Sequence, residues 1–189
     1  LEAQNPARGE LTNVRDAGKR VKVGLLSYDL RMHPVGLFIE PVLAQRDRGR
    51  LEMVCYSTCP KEDSHSARLK GLADGWKCVA ELSDAQIADA IRADGVDVLI
   101  ELSGLTSFHR LGVMAMKPAP VQATFCGYPS TTGLSRIGYR LVDSITDPPG
   151  AERGAVEKLV RVDPSFLCYV PPELAPAIGG AFVAAPLWS

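Results

Sequence analysis

The chain has 189 residues, and 46% of them are hydrophobic, which is enough apolar material for the core of one domain. Its 21 basic and 22 acidic residues are mixed along the sequence and leave a net charge of −1, so a nucleic-acid-binding surface is not expected. The sequence has no apolar run of membrane-spanning length and no pattern of a signal peptide at its start. We therefore expect neither nucleic acid nor a membrane among its partners.

The cysteines are odd in number, and no two have the CxxC spacing of a zinc or redox motif. They are Cys55, Cys59, Cys78, Cys126 and Cys168. This pattern favours buried thiols in a reducing compartment. A cytoplasmic or nucleocytoplasmic location is the expectation that follows.

The chain begins with a polar segment, residues 1–20, which predicts a loosely held arm. An apolar run over 22–27 predicts a buried strand. A helix is predicted to start at Pro34, because proline suits the first helical position, and Pro41 should delay or kink it.

Strands and helices continue to alternate after this point. A strand is predicted over 51–58, a polar loop contains His65, and a short helix over 67–75 ends at Gly75. Residues 76–82 form either a third strand or an extended link.

The next helix is the clearest in the sequence. Ser83 caps it, Gly95 marks its end, and Ile87, Ala90 and Ile91 recur at helical spacing on one face.

The second half predicts further short elements. They are strands over 96–104 and 121–129, a helix over 109–118, a strand and turn within 139–150, and extended pieces over 157–162 and 165–170. Strands that alternate with helices predict an α/β fold with a mostly parallel sheet. Ligands of such sheets bind beyond the carboxyl ends of the strands. Polar loops over 27–34, 101–110 and 125–133 follow predicted strands, and we expect them to lie along one edge.

The first loop carries an acid and an imidazole four positions apart, Asp29 and His33. An aspartate can orient an imidazole, raise its basicity or act as a base itself. The alternative is structural: His33 lies at the start of the helix next to its cap, and Asp29 only ends the strand.

The second loop contains Gly104, which lets the backbone turn close to a ligand, and Thr106, which supplies a hydroxyl. The favoured alternative is a helix entry with Thr106 or Ser107 as the cap. His109 is expected on a solvated helix face.

In the third loop, Gly127 and Gly133 bracket the hydroxyls of Thr131 and Thr132, which could hold a phosphate or a sugar. The loop has no Walker lysine, and the sequence has no GxGxxG motif. Cys126 has no basic neighbour in sequence that would make it a nucleophile.

Three separated blocks resemble, in the right order, the first half of the catalytic region of the protein O-linked glycosyltransferases, the O-GlcNAc transferase family that includes the plant SPINDLY type. They read VGLLSYDLRMHPVGLFIEPVL, VDVLIELSGLTSFHRLGVMAMKPAPVQATFCGYPSTTGL and YRLVDSITDPPG…EKLVRV…FLCYVPP. The resemblance covers roughly residues 20–172. The segments DSITDPPG and FLCYVPP are more similar to the SPINDLY-like branch, whose plant members use GDP-fucose.

This resemblance implies a GT-B architecture of two Rossmann-like lobes, with helices on both faces of each sheet and the active site in the cleft between them. The chain matches the amino-terminal lobe, residues 21–172, and residues 173–189 depart from the family pattern. The reaction implied is sugar transfer from UDP-GlcNAc or GDP-fucose to Ser or Thr of an acceptor protein, without a cofactor or metal.

The resemblance also assigns site residues. Asp29 and His33 face the donor and acceptor. The residues implied at the donor cleft are Pro34, Val35, Gly104, Thr106, Cys126, Gly127, Tyr128, Pro129, Thr131, Thr132 and Gly133.

The sequence departs from the family at several points. Val35 replaces a threonine near the donor, Cys126 replaces a leucine or isoleucine, and Leu105 stands where SPINDLY-like proteins commonly have histidine. The second lobe and the tetratricopeptide repeats are absent from the sequence. We therefore expect the isolated chain to be inactive and its open cleft face to favour self-association. The alternative is a truncated, non-catalytic binding module.

Overall fold

The computed structural model describes residues 1–14 and 16–171, so the predicted tail over 173–189 lies outside the described residues. Strands and helices alternate along this part of the chain. In chain order they are β1 (Val21–Ser27), α1 (Pro34–Gln45), β2 (Leu51–Ser57), α2 (Ser64–Leu72), β3 (Gly75–Cys78), α3 (Asp84–Ala93), β4 (Val98–Glu101), α4 (Leu111–Ala115), β5 (Val121–Thr124), β6 (Tyr139–Val142), a 3-10 turn (Ala151–Gly154) and β7 (Lys158–Arg161).

The described strands form one sheet in the order β3-β2-β1-β4-β5-β6-β7, and every neighbouring pair is parallel. The predicted α/β fold with a parallel sheet is confirmed. Because the strands are parallel, all of their carboxyl ends lie at the same edge of the sheet.

Helices cover both faces of the sheet, as expected. Successive residues of a strand point to opposite faces, and in β1 Leu25 packs with residues of α1 and α2. Its neighbour Leu26 packs with residues of α3 and α4 on the other face. Both side chains are almost fully buried, so burial on the two faces fixes the register of the central strand.

Helix α2 differs from the prediction at both ends. It begins at Ser64, because Asp63 and Ser66 form a reciprocal capping box that holds the first turn. Gly75 starts β3 instead of ending the helix, and His65 is buried in α2 instead of lying in a polar loop.

Helix α1 starts at Pro34, as predicted, and Pro41 lies inside it without delaying its start. Two smaller predictions were wrong. In α3 the buried alanine is Ala88, since Ala90 lies at the margin of the buried face. Helix α4 covers only half of the predicted range 109–118.

Residues 165–170 form no strand. Beyond β7 the chain leaves the sheet, and the ring of Phe166 meets the ring of Phe125 edge to face, with centroids 6.0 Å apart. Tyr169 contacts Phe38 of α1 in the same way at 6.3 Å. These contacts bring the segment after β7 back towards the centre of the molecule.

The amino-terminal segment makes polar contacts with the rest of the chain. Arg8 forms an exposed ion pair with Asp89 of α3. The side-chain amide of Asn13 donates to the carbonyl oxygen of Val96 at 3.1 Å and to the carboxylate of Asp97 at 2.8 Å. The division of the chain at residue 20 stays a prediction.

Candidate functional site

The strand order reverses between β1 and β4. From β1 the chain runs outward through β2 and β3, and it then returns to place β4 on the other side of β1. Loops that leave two such strands diverge to opposite faces and open a crevice at their carboxyl ends, where α/β proteins bind ligands. The loops that follow β1 and β4 are two of the three polar loops that the sequence singles out.

The first and second loops contact each other directly. The hydroxyl oxygens of Ser27 and Ser103 lie 3.3 Å apart in the interior. Beyond them, the rings of Tyr28 and Phe108 stack with centroids 4.5 Å apart and an angle of 19° between their planes.

The second and third loops approach even more closely, through glycines. A Cβ added to Gly104 would lie 2.2 Å from the Cβ of Tyr128, and the φ of +56° at Gly104 is also one that favours glycine. A Cβ added to Gly127 would lie 1.8 Å from the carbonyl oxygen of Leu102. The three loops therefore gather at one edge, as expected.

The Asp29 carboxylate and the His33 imidazole are neighbours at this edge. Oδ2 of Asp29 lies 3.9 Å from Nδ1 of His33, and the other carboxylate oxygen lies 3.5 Å from the guanidinium of Arg31. The Asp29 side chain is 12% exposed, whereas that of His33 is 38% exposed. A buried acid with a nearby cation and a more open imidazole can exchange protons with a bound substrate.

The same imidazole caps helix α1. Its Nδ1 accepts the backbone N–H of Val35 at 3.3 Å, and Pro34 occupies the first turn. The neutral ring must then carry its proton on Nε2, so it offers a donor to a ligand. The structural interpretation of His33 is correct, and it is compatible with a role at the site.

Other predicted donor-cleft residues have different environments. Val35 buries its side chain in the core beneath α1, while Pro34 is exposed. Thr106 donates its hydroxyl to the carbonyl of Ser103 at 2.8 Å and does not cap α4. His109 is exposed, but it precedes α4 instead of lying on a helix face.

Glu101, which ends β4, was not predicted. It is 3% exposed, and its carboxylate accepts hydrogen bonds from the backbone N–H groups of Ser103 and Gly104 and from the hydroxyl of Thr124. Burial raises the pKa of Glu101, and these hydrogen bonds oppose the shift. The residue thus ties the second loop to β5. An acid at the end of an apolar strand was the signal that could have indicated it.

The hydroxyls of the third loop are held by a second unpredicted acid. Thr131 donates to the carboxylate of Glu157 at 2.6 Å, and Thr132 donates both its hydroxyl and its backbone N–H to the same group. Burial raises the pKa of Glu157, but these hydrogen bonds outweigh it and leave the pKa below its usual value. The two hydroxyl protons are therefore directed to Glu157.

Cys126 is close enough to two acids of this edge, Glu101 and Asp29, for their charges to act on its thiol. Burial, together with the negative charges of Glu101 and Asp29, raises the pKa of its thiol to about 12. A thiol in this state is a poor nucleophile. Pro129 and Gly133 are exposed in the turn of the third loop, and Gly133 has a φ of +73°.

Within residues 1–14 and 16–171, no group of three or more His, Cys, Asp or Glu side chains is arranged to hold a metal ion. In the same part of the chain, no helix is long and apolar enough to cross a membrane.

The model of glycosyl transferase family 41 matches residues 6–170. The chain belongs to this family. The family-41 chain is 41% identical over 169 residues to a probable UDP-N-acetylglucosamine–peptide N-acetylglucosaminyltransferase SPINDLY from Arabidopsis thaliana, an alignment that covers 87% of this chain and 18% of that protein. It is 28% identical over 151 residues to a UDP-N-acetylglucosamine–peptide N-acetylglucosaminyltransferase from Caenorhabditis elegans, covering 79% of this chain and 13% of the relative.

Among solved structures, the family-41 chain is similar to a mutant O-GlcNAc transferase from Thermobaculum terrenum, with a TM-score of 0.87 and 37% sequence identity. That match covers 94% of this chain and 34% of the bacterial one. The fold is the amino-terminal lobe of a GT-B glycosyltransferase, as the sequence resemblance implied. The chain spans less than a fifth of the length of the plant relatives that it matches.

Proposed function

We propose that this family-41 chain is the amino-terminal catalytic lobe of a protein O-glycosyltransferase, which moves N-acetylglucosamine or fucose from a nucleotide sugar to Ser or Thr of cytoplasmic or nuclear proteins. The observation that carries the proposal is the meeting of three loops at the switch point of the sheet, with Asp29 and His33 side by side. Relatives named as peptide N-acetylglucosaminyltransferases support the same reaction class.

In this reaction an acceptor hydroxyl oxygen bonds to the anomeric carbon of the sugar. The bond from that carbon to the nucleoside diphosphate breaks, and the hydroxyl proton goes to a base. Asp29 is the candidate proton acceptor, because the nearest cationic groups, on Arg31 and His33, lie 3.5 Å and 3.9 Å from its carboxylate oxygens and neither holds an oxygen in a short hydrogen bond. His33 suits donation from Nε2, because its Nδ1 is already an acceptor for Val35.

The proposal also includes a second lobe as partner. Among the described residues at this edge of the sheet, few basic side chains are free to bind a diphosphate, since Arg110 and Arg140 are each paired with a carboxylate. Stabilising the leaving group requires positive charge or preorganised donors. We therefore infer that the isolated chain does not catalyse transfer, and no metal or cofactor is part of the proposal.

A transfer assay tests this function. Radiolabelled UDP-GlcNAc and GDP-fucose are offered separately to the chain alone and to the chain mixed with the carboxyl-terminal lobe of the Arabidopsis relative, with lobe association checked by gel filtration. We expect label in acceptor protein only when both lobes are present, and from one of the two donors. Associated lobes that transfer neither sugar would refute the proposal.

The matched variants are Asp29→Asn and Asp89→Asn. Loss of a proton acceptor should lower the transfer rate by roughly 10²- to 10⁴-fold. Asp89 lies on α3 in an exposed ion pair with Arg8, so its variant should keep the full rate.

A further inference from the structure

A recess of about 300 Å³ lies beside the switch point and does not include Asp29 or His33. It is formed at the carboxyl ends of β1 and β2 and by the segment before α4. Its lining residues are Tyr28, Thr58, Asp84, Phe108, His109 and Arg110.

Thr58 is the unusual member of this lining. The residue is 4% exposed, and its hydroxyl oxygen is buried without a hydrogen-bond partner. Its backbone N–H is already used, in a bond to the carbonyl of Ser27 at 3.0 Å. Buried hydroxyls in native proteins almost always have a partner, and an exception calls for an explanation. A ligand group that enters the recess would supply the missing hydrogen bond.

Phe108 forms an aromatic wall of the same recess. It is 67% exposed and has a φ of +62°, a conformation that bulky residues seldom adopt. One side of its ring stacks on Tyr28. Strained residues of this kind concentrate where a protein clamps a ligand. Because the Thr58 hydroxyl is buried, a ligand would reach it only with a shift of the Phe108 ring, and at 67% exposure that ring has little packing to lose.

The charged residues of the recess are paired with each other. Arg110 bonds Asp84 at 2.9 Å and donates to the carbonyl of Ala80 at 3.1 Å. No net charge is left to attract a phosphate, which argues against a nucleotide as the ligand. A neutral group with a flat apolar face and one polar tip fits this lining.

The apolar residues around the recess indicate a polypeptide ligand. Met32 in the first loop and Leu105 in the second are both about half exposed, and they belong to the same two loops as Tyr28 and Phe108, whose rings stack. Aromatic residues, methionine and arginine are the residue types enriched where proteins bind proteins. The rings of Tyr28 and Phe108 suit an aromatic side chain, and the unpaired hydroxyl of Thr58 suits one that also carries a hydroxyl.

We propose that the recess binds a tyrosine side chain of the acceptor polypeptide, with its ring against Phe108 and its hydroxyl bonded to Thr58. That the polypeptide is the acceptor rests on the proposed function. The tyrosine would then hold the neighbouring part of the acceptor next to Asp29, the residue that follows Tyr28 in the first loop.

The probes are N-acetyl-L-tyrosinamide and N-acetyl-L-phenylalaninamide, which differ only in the hydroxyl. Each is titrated into the isotope-labelled chain and followed by NMR chemical shifts. We expect the tyrosine probe to bind about fivefold to tenfold more tightly, the effect of one buried hydrogen bond. Shifts should centre on Tyr28, Thr58 and Phe108. Equal affinity for the two probes would overturn the inference.

Four variants, one of them a control outside the recess, locate the binding. Thr58→Val should lower the affinity for the tyrosine probe to that for the phenylalanine probe. Thr58→Ser retains a hydroxyl and should keep the preference for tyrosine, so it is the control for a substitution at this position. Phe108→Ala should weaken both probes. Tyr139→Ala, a change at another exposed aromatic residue, should alter neither. A tyrosine preference that survives in Thr58→Val would also overturn the inference.

The titration needs neither a nucleotide sugar nor a second lobe, so its failure is separate from failure of the transfer assay. Tyrosine-selective binding without any transfer would refute the proposed function and with it the identification of the polypeptide as an acceptor. Transfer without tyrosine selectivity would refute the recess alone.

Discussion

Oδ2 of Asp29 and Nδ1 of His33 lie 3.9 Å apart, yet they share no hydrogen bond, because Nδ1 of His33 accepts the backbone N–H of Val35 instead. The imidazole therefore serves as the cap of α1 and as part of the candidate site. Substitutions at His33 can separate these two roles.

We expect His33→Ala to lower the free energy of unfolding by about 1 kcal/mol, the usual effect of losing a helix cap. His33→Asn should retain most of this stability, since asparagine caps well, but both variants should lose transfer activity in the two-lobe assay. Urea unfolding and the rate of label transfer are the measurements. Full activity in His33→Asn would mean that the imidazole only caps the helix.

Gly127→Ala tests the close contact between the second and third loops. The added methyl group would meet the carbonyl oxygen of Leu102, so the backbone must move. We expect a loss of about 1–3 kcal/mol in the free energy of unfolding, typical of overpacking.

Gly71→Ala in α2 is the matched control. Nothing lies within 4 Å of its added Cβ, and alanine favours a helix, so this variant should be as stable as the parent or up to about 1 kcal/mol more stable. Equal effects of the two substitutions would contradict the loop contact.

The Glu157 carboxylate should contribute to the pH dependence of stability. Its pKa is lowered in the folded chain, so its contribution is present above the unfolded pKa near 4.5 and is lost as the pH falls through the folded pKa. We expect Glu157→Gln to be less stable than the parent at pH 7, with the difference shrinking below about pH 4.5. Urea unfolding at several pH values measures this. A difference that grows on acidification would contradict the assigned hydrogen bonds.

Cys126 should resist alkylation. With a pKa of about 12, almost none of this thiol is ionised at pH 8. The exposed Cys78 and Cys168 should react with iodoacetamide first, as peptide mass spectrometry can follow, and all five cysteines should react in urea. Modification of Cys126 as fast as Cys78 would show that its surroundings do not suppress the thiolate.

Local sequence signals predicted much of the fold and part of the site. The apolar run before Asp29, the proline after His33 and the alternation of strands with helices depend on neighbours in sequence, so they could be interpreted directly. Likewise, the three polar loops were found because each follows a strand.

The remaining features depend on contacts between distant segments. Glu157 holds Thr131 and Thr132 across 25 residues of chain or more, and no local pattern indicates that pairing. The placement of β4 beside β1, which creates the switch point, is likewise a property of the assembled sheet. Thr58 is polar and follows a strand, but only the tertiary structure leaves its hydroxyl without a partner.

The most direct test of the whole account is hydrogen exchange, followed by mass spectrometry, on the chain with and without the second lobe and the nucleotide sugar. Addition of both should slow exchange together in the loops over 27–34, 101–110 and 125–133. The turns over 46–50 and 93–97, at the amino ends of the strands, should be unchanged. Protection of those turns, with the three loops still exchanging freely, would show that the site lies at the other edge of the sheet.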